Sequence, residues 1–127
     1  MKQLLLSFLL IALFASQSLA QDTKPALAKE FMQITTIESV VGGGMGRSKL
    51  IVTLPDGSQK DTVLNNLFSM MGINFKNIGE NDQQILRTLK SYTDQGWKLA
   101  QVIPLSYSPN ANAGGIFMTR YLLSRPD

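Results

Sequence analysis

Between residues 81 and 105 the alternation of apolar and polar positions changes period once. Ile85, Leu86, Leu89 and Tyr92 fall at i, i+1, i+4 and i+7, one stripe of a 3.6-residue repeat, while Arg87, Lys90 and Ser91 take the other side. The spacing predicts a helix. Asn81 suits its N-cap, with Gln84 three residues on to complete a capping box and Asp82 near the positive end of the helix dipole. Gly96 suits the left-handed position just past a helix end. Beyond it the period drops to two. Trp97, Leu99, Gln101 and Ile103 would share one strand face, and Lys98, Ala100 and Val102 the other. A tight turn folds this strand back along its helix, so that Trp97, Leu86, Leu89 and Leu99 form the expected centre of the core.

The rest of the chain reads as further strands. Residues 31–41 and 48–54 are rich in β-branched and aliphatic side chains, with Leu50, Val52 and Leu54 inward and Lys49, Ile51 and Thr53 outward. Pro55, Asp56 and Gly57 form a turn. Asp61 caps a short second helix over residues 62–71 with the stripe Val63, Leu64, Leu67 and Met71, ended by Gly72; the alternative is that residues 58–63 form a third strand. Residues 73–78 are then a short link, 106–115 a loop of turn-forming residues, and 116–124 the last strand. The expected fold is α+β: an antiparallel sheet of about four strands with one main helix, and a short second one, on one face.

Leu89, the run Gly96-Trp97-Lys98-Leu99 and the closing run from Thr119 to Pro126 resemble the family called domain of unknown function 4177. The likeness covers residues 82–125 well and the first strand loosely. It implies a sheet of about four antiparallel strands carrying a helix on one face. Lys98 stands where that family has an acidic residue, and residues 54–79 are additional. The family has no assigned activity, so the resemblance bears on the fold and brings no functional residue.

The first twenty residues read differently. Lys2 is a basic start, residues 4–14 are an apolar run, and Ser18-Leu19-Ala20 is a small-x-small cleavage signal. The expectation is a bacterial chain exported to the periplasm or medium, cut after Ala20, with residues 21–30 a flexible leader and 31–127 a single domain. The chain contains no cysteine, which excludes a lipoprotein anchor, disulfides and thiol catalysis. It contains no histidine, the commonest general base and neutral metal ligand. Setting Lys2 aside, eleven basic residues face nine acidic ones, a net charge of +2 that is too small and scattered to point to nucleic acid. No cofactor and no metal site are expected.

Two loops carry the candidate binding residues. Glycines 42–44 and 46 could turn successive N–H groups inward as an anion nest, with Gly43 and Gly44 at its centre and Arg47 beside it; hairpin glycines also occur for conformational reasons alone. Tyr107 and Asn110, in the later loop, have the composition of adaptable contact residues. Asp56, Ser58 and Asp61 have oxygens for calcium, but a turn explains them more simply. Hydrolysis of an envelope polymer would need two of Glu38, Glu80, Asp82 and Asp94 in one cleft. The leading expectation is a non-enzymatic binding module for an envelope protein or ligand. The alternatives are that hydrolase and a self-associating subunit using an apolar sheet face or a free edge strand.

Overall fold

The computed structural model describes residues 28–41, 47–108 and 114–126. Residues 21–27 of the leader, glycines 42–44 and 46, and Asn110 lie outside them; residues 28–30, expected to belong to the flexible leader, instead open the first strand, where they pair with the last one. The chain order is β1 (Ala28–Ser39), β2 (Ser48–Thr53), β3 (Gln59–Leu64), β4 (Phe68–Ser69), β5 (Gly72–Ile73), α1 (Phe75–Thr93), β6 (Lys98–Tyr107) and β7 (Ile116–Pro126). Five strands make one antiparallel sheet in the order β3-β2-β1-β7-β6, and β4 and β5 pair as a separate small ribbon. The α+β class and the single main helix agree with the sequence. No second helix forms over residues 62–71. Those residues complete β3 and enter the β4–β5 ribbon, and Asp61 caps nothing: it lies in β3, paired across the sheet with Lys49 on β2.

Register fixes what each face carries. Met32, Ile34 and Thr36 of β1 stand in line with Leu50 and Val52 of β2 and with Leu123 and Tyr121 of β7. These side chains face α1; Met32, Ile34, Leu50, Val52 and Leu123 make the core with Leu64, Ile85 and Trp97, and Tyr121 packs against it. Leu89 and Tyr92 pack partly into it. Leu86 does not: it is 66% exposed, and Leu99 is half exposed. On β6 the expected alternation breaks at Ala100. Leu99 pairs with Leu123 and Gln101 with Leu122, so Ala100 is an extra residue, a β-bulge. The bulge puts Leu99 and Val102 on the helix side and sends Gln101 and Ile103 outward. Without it all four odd positions from Trp97 to Ile103 would have shared a face.

α1 starts six residues before Asn81. Asn74 is its N-cap, accepting from the Asn77 N–H at 3.2 Å, and Asn81 lies inside the helix and is 1% exposed. The C-terminal end follows the sequence closely. The Gly96 N–H bonds the Thr93 carbonyl at 3.0 Å, the Trp97 N–H bonds the Tyr92 carbonyl at 3.2 Å, and Gly96 has φ of +90°. This is the Schellman arrangement, and only a residue without a side chain enters it cheaply. It swings Trp97 onto the core.

Beyond Trp97 the guanidinium of Arg125 lies 4.8 Å from the indole centroid and is paired with Glu30. β1 thus begins, and β7 ends, under one aromatic ring.

Candidate functional site

A single helix cannot cover this sheet. Five strands spaced by about 4.8 Å span about 19 Å between their outer axes, whereas a helix with its side chains is about 10 Å across. The buried inner-face residues lie on β1, β2 and β7, together with Leu64 at the end of β3, so the helix-side faces of the edges stay open. α1 therefore divides the inner face into two gutters.

The gutter toward β3 is polar and basic. Lys60 and Thr62 of β3 face Arg87 and Ser91 of α1 across a cleft of about 360 Å³. The gutter toward β6 is apolar, with Leu99 and Val102 of the strand uncovered and Leu86 of the helix exposed.

The two edges differ in the same way. β3 carries Gln59, Lys60, Asp61 and Thr62, whose charges guard a free edge against pairing with another chain. β6 is exposed over all ten of its residues, yet it carries Leu99, Val102, Ile103, Leu105 and Tyr107. Its guard is Pro104, whose missing N–H interrupts the free edge near its middle. Adding a strand along β6 is thereby obstructed, while both faces remain open. On the outer face Ile37, Met118 and Leu105 stand in one row, with Ile103 beside them. Lys98 and Arg120 share that face, and neither has an ion-pair partner among the described residues. Lys49 and Asp61, also on this face, neutralise each other.

Of the residues expected to bind a ligand, Arg47 and Tyr107 are described and exposed, while Gly43, Gly44 and Asn110 lie outside the described residues. The chain ends flanking the two loops meet at one end of the sheet. The Val40 N–H bonds the Gly115 carbonyl at 2.9 Å, and a Cβ on Gly115 would stand 2.8 Å from the Tyr107 carbonyl oxygen. Arg47 and Tyr107 share that end but sit on opposite sides of β1 and β7. Asp56 accepts from the N–H and hydroxyl of Ser58, which hold its carboxyl below the usual range, and Asp61 is held low by Lys49. Asp56, Ser58 and Asp61 thus serve a turn and a cross-strand pair. Among the described residues no cluster of three or more His, Cys, Asp or Glu is placed to hold a metal.

The four acids divide. Asp94 pairs with Lys90 at the far end of the helix, and Glu80 accepts from the Asn65 side chain. Glu38 and Asp82 both reach Tyr121 electrostatically. Burial, then Glu38, then Asp82, raise the Tyr121 phenol above its ordinary 10.0. A phenol whose pKa is higher folded than unfolded adds stability in its protonated form. That contribution is complete below about pH 10 and is lost as pH rises through the folded value. Tyr121→Phe is therefore expected to flatten the fall in stability above pH 10, measured by denaturant melts between pH 9 and 11. An unchanged slope would refute the coupling.

No residue pattern pointed in advance to the two gutters, because their walls come from separate elements. No family model, curated protein or solved structure matches this chain. Among the described residues no helix is long and apolar enough to cross a membrane.

Proposed function

We propose that this chain is a non-enzymatic interaction module of the bacterial envelope, exported by its first twenty residues, that engages a protein partner through the outer face of β6 and β7. One observation carries the reading: a ten-residue edge strand that is exposed throughout and yet apolar on both faces. Isolated exposed apolar residues are ordinary, but a contiguous uncovered group marks a contact surface. Lys98 and Arg120, without counter-ions on that face, give the partner an acidic rim. Self-association is the second reading, and the same bare face favours it. It is the weaker of the two because two copies would bring their unpaired cations together. Kinship with the domain of unknown function 4177 family is proposed from the Gly96-Trp97 turn and the last strand.

A photo-crosslinking residue placed at Leu105 is expected to capture a distinct partner, while the same residue at Gln59, on the opposite edge, captures none. Ile103→Glu with Leu105→Glu should abolish the capture and leave the melting temperature nearly unchanged, since both side chains are already part-exposed. A concentration-dependent mass in sedimentation, lost in the double variant, would establish self-association instead. A monomer with no crosslink at Leu105 would sink both readings.

A further inference from the structure

On the other side of α1 from the apolar gutter, we propose that the cleft between the helix and β3 is a binding site for a small amphipathic anion, a carboxylate or phosphate on a short apolar body. Its volume of about 360 Å³ falls within the range of small-molecule pockets. Its floor is apolar: Leu50 and Val52 of β2 lie at its base, nearly fully buried, and the half-buried Tyr92 of α1 lines it with them. Its two walls each present a cation, Lys60 from β3 and Arg87 from α1, and no carboxylate lines it. Neither cation is in an ion pair among the described residues, although Asp56 in the neighbouring turn lies close enough to Lys60 to feel its charge.

Arg87 is steadied by donating from Nη2 to Gln84 Oε1 at 3.0 Å, which leaves its other N–H groups free for a planar oxyanion. The hydroxyls of Thr62 and Ser91 complete the rim. Two like charges facing one another over an apolar floor repel unless an anion lies between them. A ligand with both an anionic head and an apolar tail fits all three surfaces, whereas an inorganic anion meets only the walls. Lys60 and Thr62 make this edge of the inner face polar where the β6 edge is apolar.

The site is tested by nuclear magnetic resonance titration of the purified protein with octanoate and with hexyl phosphate, alongside hexanol and inorganic phosphate. The expected result is that both amphipathic anions shift the amides around Thr62, Arg87 and Ser91 in a saturable way. Hexanol and inorganic phosphate should do so at least about tenfold more weakly. Lys60→Met combined with Arg87→Met should remove the response to both anions while the ligand-free melting temperature holds or rises, since a repulsion has been deleted. Preference for octanoate or hexyl phosphate decides whether the head is a carboxylate or a phosphate. An undiminished response in the double variant, a response to hexanol equal to that to octanoate, or no shift at millimolar ligand would each overturn the proposal.

Discussion

Replacing Asn81 by alanine is expected to cost about 3–5 kcal/mol, much of the stability of a domain this size. Its side-chain amide sits in the interior as a short piece of surrogate backbone. Asn81 Oδ1 accepts from the Asn65 N–H at 2.8 Å, and Asn81 Nδ2 donates to the Asn65 carbonyl at 2.9 Å and to Glu38 Oε1 at 3.1 Å. It thus does for the residue after β3 what a neighbouring strand would do. Asn77 adds a bond from Nδ2 to the Asn66 carbonyl at 2.7 Å. Truncation of Asn81 deprives the N–H and carbonyl of Asn65 of their partner and leaves a hole in the interior, and each unmet group costs about 1–3 kcal/mol. Glu38→Gln keeps an acceptor for Asn81 and should cost under about 1 kcal/mol. Denaturant melts followed by the emission of Trp97, the sole tryptophan, measure both. A loss below about 1 kcal/mol for Asn81→Ala would show that water takes over these bonds and that the amide is not a structural pin.

The second large effect is expected at Trp97. Trp97→Ala should cost about 3–5 kcal/mol, the range for emptying a buried aromatic site. The ring is 6% exposed, closes the core at the end of α1, and is roofed by the Arg125 guanidinium. The two contributions separate by substitution. Arg125→Ala deletes the cation over the ring and the partner of Glu30, both part-exposed, and should cost only about 0.5–1 kcal/mol. Trp97→Phe keeps an aromatic face and should fall between. Circular dichroism supplies the readout once the tryptophan is gone. Should Arg125→Ala prove as damaging as Trp97→Ala, the cation and not the buried ring would be holding this corner.

These two residues also mark where the sequence was legible. The end of α1 depends on neighbours within six residues of each other, Tyr92, Thr93, Gly96 and Trp97, and local signals place it correctly. The start of the helix does not. Asn74 is followed by Phe75 whereas Asn81 is followed by three polar residues, and Gly79 between them, poor for a helix interior by about 1 kcal/mol, makes the later one look like the cap. What distinguishes them is Asn65, a partner sixteen positions from Asn81. β3 was ambiguous because its residues before Leu64 are exposed on both faces, so no alternation of polarity survives to be read. Met71, nearly bare in the turn of the β4–β5 ribbon, completed the apparent helical stripe of Val63, Leu64 and Leu67. The bulge at Ala100 left no trace, since alanine suits either face. Of the candidate sites, the loops were visible as composition. The gutters beside α1 were not, because they arise only once the sheet proves wider than its single helix.

The strand order carries a last consequence, for timing. β1, the first strand made, lies in the middle of the sheet, and one whole side of it is held by β7, the last, with Ala28 opposite Pro126. Contacts of such large sequence separation form slowly. A ribosome feeding out this chain would therefore deliver a central strand half unpaired until β7 emerged. The fold closes like a clasp, from both ends at once, and the middle of the sheet is sealed only when its two most distant strands meet.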